Sequence, residues 1–372
     1  KLKEARLSLT NNEQQLSVDG WVLRGLCAYY EWKHDQKVLA MIKDIVNNLF
    51  LKGEGKYKIY PIDPAKRKKD EGQVIGSIVK SDGQWILSSD IGCVFIGMEG
   101  LINAYKLMPN PKIKEVIDEM MARFVQTDLV GIKAQAHASL TACRGLIRYS
   151  ELTGDKRYIN EAARRWELYR SYGMTENYEN YNWFNRFDTW SEPCAVVDSY
   201  MLAVQLWEHT HDARYLNDAE LIYYNGICHT QRYNGGFGCD NTPGEGKNTN
   251  SLEIRTDEAY WCCTMRGAEG LASAVEYSYF VNGNTVYVPF YQESEVTLPV
   301  GVSNSLRLSQ HTGYPFEGKV EFDVTETNGT PVTLKLRVPV HASNYHLTYN
   351  GKPVALKLNE GFVTFSKAFV KG

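Results

Sequence analysis

The sequence predicts a mostly α-helical chain that ends in a β-sandwich. Helical hairpins recurring every ~50–75 residues favour a closed ring, an (α/α) toroid, because solenoid repeats such as tetratricopeptides have a period of about 34 residues. Alternating strand patterns after about Tyr279 predict the sandwich. The length of 372 residues suits roughly two domains, which we place at residues 1–281 and 282–372.

Two segments carry the clearest copies of the hairpin repeat. Residues 145–166 read GLIRYSELTGDKRYINEAARRW, and residues 203–224 read AVQLWEHTHDARYLNDAELIYY. Asp155 and Asp212, in the short polar turns, are 57 residues apart. Each segment is an apolar-periodic helix, a turn and a second such helix, which predicts a helical hairpin. Fainter copies lie near Asp35 and Pro111.

The C-terminal region alternates between apolar and polar residues in several short segments rich in Val, Leu, Tyr and Thr. Asn350-Gly351 is a strong signal for a two-residue hairpin turn. Turn residues divide the other segments, as in antiparallel sandwiches. The chain ends at Gly372 soon after a strand, which leaves open a sandwich that is incomplete here.

Composition excludes several classes of protein. The net charge of −3 gives no basic footprint for nucleic acid. No run approaches the ~18 apolar residues of a membrane span, and the start, KLKEARLSLT, shows no signal-peptide apolar region. Eight scattered cysteines in a long chain do not form a small disulfide scaffold.

Cysteines occur at two predicted junctions between a loop and a helix. Pro193 fits the first turn of a helix, so Glu192 and Cys194 flank a helix start, where residues two apart can converge. Cys262 and Cys263 precede a predicted helix over 266–280. Three thiolates and one carboxylate match the four-coordinate preference of Zn²⁺. The spacing is not that of a zinc finger, and a vicinal disulfide or inert thiols stay open.

Residues 173–190, GMTENYENYNWFNRFDTW, place carboxylates among aromatic side chains. Such an environment can raise the pKa of Glu176 or Glu179 and suit it to general acid catalysis. A solvated polar loop is the alternative. We assign Tyr181 and Trp183 of this segment as candidate substrate contacts, because aromatic rings can stack on sugars.

His137 is a third candidate substrate contact, although a histidine in an apolar helix can equally be a hydrogen-bonded core residue. Residues 232–260 form a long segment rich in Gly, Asn and Thr that leads to Cys262. Loops of such length are often functional or disordered. No nucleotide-binding motif is present in the sequence, so a nucleotide cofactor has no support.

The hairpins, SEPC, WCC and NTVYVPFYQESEVTL together resemble the β-L-arabinofuranosidase-type glycoside hydrolases, family 127 and its relatives. The resemblance implies an (α/α)6 barrel followed by an antiparallel β-sandwich. It also implies that a Glu-x-Cys motif and a Cys-Cys pair bind zinc. The first cysteine of the pair would be the nucleophile of a retaining mechanism, and an upstream glutamate the acid/base.

Carried onto this chain, the resemblance implies a Zn²⁺ cofactor and the following metal ligands: Glu192, Cys194, Cys262 and Cys263. Cys262 would be the nucleophile. Glu176, sixteen residues before Glu192, would be the acid/base, with Glu179 as its rival.

The implied reaction is exo-acting release of a terminal L-arabinofuranose-like sugar from plant-type glycans. The substrate would be an oligosaccharide or a polysaccharide side chain, with neither nucleic acid nor membrane as a partner. The segments TMRG after Cys263 and YNWFNRFDTW before Glu192 depart from the family pattern, which points to a divergent subfamily or another sugar.

Two alternatives stay open. One is an (α/α)-barrel sugar enzyme that uses two carboxylates and keeps its cysteines structural, and the other is a catalytically inactive carbohydrate-binding relative. The sequence leaves the oligomeric state undecided. It also leaves the compartment undecided, although polysaccharide degradation would suit a bacterial periplasm or cytoplasm.

Overall fold

The computed structural model describes residues 10–67, 78–82, 84–242, 262–302 and 304–372. The chain forms two compact units. The first comprises Lys1–His209 and Leu221–Gly267, and the second Thr210–Glu220 and Ala268–Gly372. The part of the long predicted loop from residue 243 to residue 260 lies outside the described residues. The predicted boundary between residues 281 and 282 stays a prediction.

Helices dominate the chain up to Glu276. In chain order they are α1 (Glu13–Lys33), α2 (Gln36–Ile45), α3 (Gly97–Leu107), α4 (Pro111–Gln126), α5 (Ala136–Thr153), α6 (Arg157–Tyr172), α7 (Pro193–Thr210), α8 (Ala213–Ile222), α9 (Cys228–Thr230) and α10 (Cys262–Glu276). π-helical turns extend α2 over Val46–Phe50 and α8 over Tyr223–Ile227. Short 3₁₀ turns cover Leu51–Gly53, Tyr57–Ile59, Pro64–Lys66 and Cys93–Ile96.

Short polar turns separate these helices where the repeat predicts them. Asp35 caps α2 by accepting from Lys37 N, and Asn110 caps α4 ahead of a proline at its first position. The side chains of Asp155 and Asp212 each accept from the backbone N–H two residues on. The predicted hairpin turns are thereby confirmed, including the 57-residue repeat.

Glycines let α1 and α3 approach backbone to backbone. A Cβ atom on Gly20 would lie 2.6 Å from Gly97 Cα, and one on Gly100 would lie 2.4 Å from the Gly20 carbonyl oxygen. Real Cβ contacts are never so short, so only glycine permits this approach. At this end of α1, the half-buried Trp21 stacks on His137 of α5, and Arg24 donates to Glu99 of α3.

A small hairpin, β1 (Ile78–Asp82) with β2 (Trp85–Ser88), belongs to the first unit, and the remaining strands belong to the second. These are β3 (Phe280–Asn282), β4 (Thr285–Val288), β5 (Ser294–Val300), β6 (Asn304–Thr312), β7 (Val320–Thr327), β8 (Pro331–Arg337), β9 (Leu347–Tyr349), β10 (Lys352–Val354), β11 (Leu358–Asn359) and β12 (Phe362–Ala368). They form a five-stranded sheet, β11-β12-β8-β4-β3, a three-stranded sheet, β5-β6-β7, and the pair β10-β9.

Alternating side chains of these two larger sheets build one apolar core. Val286 and Val288 of β4, Leu306 and Leu308 of β6, and Leu334 of β8 are all buried in it. Burial at every second residue is the pattern of a strand with one face on a core. The predicted sandwich therefore forms, mostly from antiparallel strands.

Two features of the second unit can be compared with their predictions, the hairpin turn at Asn350-Gly351 and the antiparallel pairing of the strands. Tyr349 pairs with Lys352 across Asn350 and Gly351, whose φ angles are 49° and 72°, as a two-residue hairpin turn requires. The turn is confirmed. The predicted antiparallel sandwich contains one parallel pair, β4 with β8. The chain between them passes through the other sheet, and a long connection of this kind permits parallel pairing.

Candidate metal and catalytic site

Four predicted ligands converge in the first unit. One donor atom from each of Glu192, Cys194, Cys262 and Cys263 lies within 4.8 Å of every other. Cys194 Sγ is 4.0 Å from Cys263 Sγ, and Cys262 Sγ is 3.8 Å from Glu192 Oε1. Cys262 is partly exposed, whereas the other three residues are buried. Cys262, the predicted nucleophile, is thus the most exposed residue of the four.

Two helix starts present these donors. Pro193 is the first residue of α7, so Glu192 lies just before the helix and Cys194 in its first turn. The Glu192 N–H donates to Asn180 Oδ1 (3.1 Å), which fixes the approach to α7. α10 starts at Cys262, four residues earlier than the predicted start at 266. Both cysteines therefore lie within its first turn, and the prediction that they precede the helix is wrong.

The electrostatics of these four groups favour a cation. Burial, followed by the charge of Cys262, raises the pKa of Glu192 well above its usual range. Burial likewise raises the pKa of Cys194, and hydrogen bonds with the neighbouring thiols, in which Cys263 keeps its proton, raise that of Cys263. Hydrogen bonds from Cys194 and Cys263 lower the pKa of Cys262. A bound divalent cation would let several of these donors ionise together.

The second carboxylate oxygen of Glu192, Oε2, accepts a hydrogen bond from a side-chain amide. With the Asn182 side-chain nitrogen facing the carboxylate, this amide donates to Glu192 Oε2 (2.7 Å) and accepts from Trp190 Nε1 (3.1 Å). Trp190 and Trp183 meet edge to face, with centroids 5.2 Å apart. Their rings pack with Cys194 and Cys263. The ligands therefore sit between an oriented amide and an indole layer, the kind of outer contact that fixes a metal ligand.

A buried ionic network lies beside the cysteines. Asp198 Oδ2 accepts from His137 Nδ1 and Thr141 Oγ1, each at 2.7 Å. Asp198 Oδ1 accepts from Arg144 (2.7 Å) and from Arg266. Burial alone would raise the pKa of Asp198, but Arg266 and His137 hold it well below the usual range. Asp198 thus stays ionised and fixes the His137 ring.

Trp21 covers the outer side of this network. Its ring stacks on His137 at 5.3 Å, with an interplanar angle of 15°. The guanidinium groups of Arg24 and Arg266 each lie 4.5 Å from its centroid. His137 also lowers the pKa of Cys262 through its charge. His137 is therefore buried and hydrogen-bonded, and it lies at the edge of the cysteine site; its predicted contact with substrate stays a prediction.

Glu179 belongs to a second cluster of titratable groups. Its Oε1 lies 3.2 Å from His229 Nδ1, which is 2.9 Å from Asp240 Oδ2. Arg232 donates to Asp240 Oδ1 at 2.6 Å. Hydrogen bonds to Asp240 and Glu179 raise the pKa of His229 to about 10, while burial raises the pKa of Glu179. His229 thus pairs with two carboxylates, Asp240 and Glu179, while Arg232 pairs with Asp240.

Glu176 and the aromatic candidates lie in different surroundings. Glu176 is exposed and lines a shallow open cleft with Glu167 and Arg170. Tyr181 is half-buried against Phe187, with ring centroids 5.1 Å apart. Trp183 is fully buried beneath the cysteines. The structure brings Trp183 to the metal-ligand set, and the predicted roles of Glu176, Tyr181 and Trp183 toward substrate stay predictions.

Several residues of the two clusters have no clear signal in the sequence. They are Asp198, Arg266, His229, Asp240 and Cys239. Asp198 carried one weak signal, a charge in the apolar first half of α7, since buried charges are rare unless they are paired. Cys239 and Asp240 lie in the long Gly- and Asn-rich segment that leads to Cys262. The length of this segment and its position before Cys262 were the signals in the sequence that pointed to these two residues.

The donor set fits zinc. Thiolates and a carboxylate are ordinary ligands of this ion, and four donors fill its tetrahedral shell. The part of the chain that the structure describes holds no helix both long and apolar enough to cross a membrane.

Family models match two parts of the chain. Residues 126–276 match the catalytic domain of the GH127 β-L-arabinofuranosidases, and residues 285–372 match their middle domain. A non-reducing end β-L-arabinofuranosidase of Bifidobacterium longum subsp. longum is 26% identical over 245 residues. That match covers 59% of this chain and 37% of the relative.

Solved structures share the fold. The GH127 β-L-arabinofuranosidase Ara127N-Se of Geobacillus stearothermophilus T6 superposes with a TM-score of 0.70 at 16% identity, over 96% of this chain and 60% of that one. A second GH127 β-arabinofuranosidase gives a TM-score of 0.59 at 16% identity, over 95% and 68%. The predicted class, an (α/α)6 barrel with a β-sandwich, is confirmed. The chain spans less than two thirds of the length of the first-named relative and structure.

Proposed function

Because the chain belongs to the β-L-arabinofuranosidase-type glycoside hydrolases of family 127 and its relatives, we propose that it removes a terminal arabinofuranose-like sugar from a glycan and retains the anomeric configuration. The observation that carries this proposal is the convergence of Glu192 with three cysteines at two helix starts. Cys262, the partly exposed sulfur of that group, is the proposed nucleophile.

In the first step the Cys262 sulfur attacks the anomeric carbon and the glycosidic C–O bond breaks. A protonated glutamate gives its proton to the leaving oxygen. In the second step the same glutamate, now ionised, takes a proton from water, which displaces the sulfur and releases the sugar. Two inversions at one carbon retain the configuration.

Zinc held by Glu192, Cys194, Cys262 and Cys263 would keep the thiols deprotonated at neutral pH. The surrounding residues orient the reacting sulfur. Asn182 and Asn180 fix Glu192, and the contact between Arg266 and Asp198 holds the helix that carries Cys262.

Glu179 is the better supported acid/base of the two rivals. A general acid must hold a proton near neutral pH, and burial raises the pKa of Glu179 toward that range. Two short links join it to the ligand set. Its neighbour Asn180 accepts from the Glu192 N–H, and Ser191, beside Glu192, pairs with Asp240 of the Glu179 cluster. Glu176 is exposed, so we rank it second although its spacing matches the family.

The first experiment combines metal content with turnover. The protein should hold one zinc per chain, and chelation should abolish hydrolysis of an aryl β-L-arabinofuranoside. Cys262→Ser should abolish turnover, whereas Cys228→Ser, which removes an exposed thiol, should not. NMR of the first-formed sugar should show the retained anomer. Full activity of Cys262→Ser or of the metal-free protein would favour the two-carboxylate alternative, and sugar binding without hydrolysis would favour the inactive relative.

A second experiment separates the two glutamates. Glu179→Gln should slow hydrolysis of a poor leaving group about 10²–10⁴-fold, the usual contribution of a general acid. It should slow a dinitrophenyl glycoside much less, because that leaving group needs no proton. Glu176→Gln is the matched control. If Glu176→Gln shows this leaving-group dependence and Glu179→Gln does not, the two roles are exchanged.

A further inference from the structure

A fifth sulfur lies against the four proposed metal ligands. Cys239 is only 8% exposed and packs in one cluster with Cys194, Cys263 and the two indoles of Trp183 and Trp190. A hydrogen bond joins the Cys239 and Cys263 thiols. Cys239 is outside the group whose donor atoms all lie within 4.8 Å of one another. Cys239 therefore touches one edge of the site.

The backbone around Cys239 is fixed on both sides. Asp240 pairs with Ser191 through two backbone hydrogen bonds, of 2.8 Å from Ser191 N and 3.3 Å from Asp240 N. Arg232 donates to the Cys239 carbonyl oxygen at 3.0 Å. Because Ser191 directly precedes Glu192, the strand-like pairing holds Cys239 in register with the ligand set.

Zinc prefers four ligands, and the four converging donors already supply them. A fifth thiol at the edge can then act as a hydrogen-bond donor. Cys263 needs such a donor, because indole rings and a further thiol surround its buried sulfur. An S–H group is a weak donor, but a hydrogen bond to an ionised acceptor is stronger than one to a neutral acceptor.

We propose that the Cys239 thiol is a positioning residue that donates a hydrogen bond to the metal-bound Cys263 sulfur, and that it is not itself a ligand. This inference rests on the proposed zinc site. Outer hydrogen bonds to metal ligands typically contribute 10–100-fold to metal affinity. The role of Cys239 therefore predicts a loss of affinity without a change in the number of thiolate ligands.

The experiment measures metal binding to the whole protein, independently of activity. Co²⁺ replaces zinc as a spectroscopic probe, because the intensity of its sulfur-to-cobalt absorption scales with the number of bound thiolates. Wild type should show a three-thiolate spectrum, and Cys194→Ser supplies a two-thiolate reference. Zinc affinity is measured by competition with a chromogenic chelator. Cys143→Ala, which removes a buried thiol in α5, is the control for the cavity.

Cys239→Ala should bind Co²⁺ and Zn²⁺ about 10–100-fold more weakly and keep the three-thiolate intensity. Cys239→Ser should recover most of the affinity, since its hydroxyl can also donate. Cys239→Val keeps the packing volume without a donor and replaces the alanine variant if that one unfolds. Affinity within about threefold of wild type, or as large a loss in Cys143→Ala, would overturn the inference.

A fall to the two-thiolate intensity in Cys239→Ala would also overturn it, by making Cys239 a ligand. Failure of the proposed function looks different. In that case wild type itself would show no sulfur-to-cobalt absorption, whatever residue occupies position 239.

Discussion

Replacing Asp198 tests whether one buried carboxylate organises the site. Its two oxygens accept four hydrogen bonds, two of them from guanidinium groups, and the side chain is fully buried. Removing one partner of a buried ion pair costs about 3–5 kcal/mol, because the other charge stays buried. Arg144 keeps Glu99 at 3.2 Å, so Arg266 and His137 lose most. We expect Asp198→Ala to lower the free energy of unfolding by about 3–5 kcal/mol.

The assay can address the first unit alone. All eight tryptophans of the sequence lie outside Thr210–Glu220 and Ala268–Gly372, the segments of the second unit. Tryptophan fluorescence during urea unfolding therefore reports the first unit. With an m-value near the upper end of about 1–3 kcal/mol/M, the midpoint should fall by more than about 1 M. Thr141→Val, which removes a single hydrogen bond to Asp198, should cost about 1.5–3 kcal/mol.

The effect should depend on pH in a defined direction. The folded pKa of Asp198 is below its usual range, so its contribution is fully present above the unfolded pKa of about 3.9 and fades as pH falls toward the folded value. The cost of Asp198→Asn should therefore be largest at neutral pH and shrink in acid. A cost below about 1 kcal/mol at pH 7 would show that this network does not hold the first unit together.

Two further substitutions test the backbone of each unit. Gly20→Ala should destabilise the first unit by roughly 1–3 kcal/mol, because its Cβ would lie 2.6 Å from Gly97 Cα. The measurement is the urea midpoint followed by tryptophan fluorescence. An unchanged midpoint would contradict the close packing of α1 and α3. Gly351→Ala should destabilise the second unit by about 1 kcal/mol, because a residue with a Cβ atom is strained at φ 72°. The added Cβ would have no atom within 4 Å, so a steric clash plays no part. The measurement is thermal unfolding followed by far-UV circular dichroism, with Gly318→Ala, in open space and without a positive φ, as the control.

Single residues and dipeptides in the sequence predicted the features that depend on local backbone conformation, such as a helix start and a hairpin turn. Pro193 marked the start of α7 and so placed Glu192 beside Cys194. Asn350-Gly351 specified its turn, because two successive residues there need positive φ. The parallel pairing of β4 with β8 had no local signal. A strand looks the same in sequence whichever way its neighbour runs, and the pairing joins segments about 48 residues apart in the chain.

Long-range pairing also explains why the polar network was missed. Asp198 meets His137, Arg144 and Arg266 across sequence separations of 61, 54 and 68 residues. In sequence no local pattern links these residues to Asp198, and only the packing of α5, α7 and α10 brings them together. The same holds for Cys239, whose spacing to Cys263 crosses the segment from 243 to 261 that lies outside the described residues.

The position of Arg266 explains how adjacent cysteines can serve one site. Cys262 and Arg266 are four residues apart in α10, so they lie on the same face of that helix. Asp198 binds Arg266 and His137 together. The carboxylate that binds the histidine therefore also holds α10 through Arg266. The Glu-x-Cys and Cys-Cys motifs supply the four converging side chains, and Asp198, which lies outside both motifs, links the helix that carries Cys262 to the helix that carries His137.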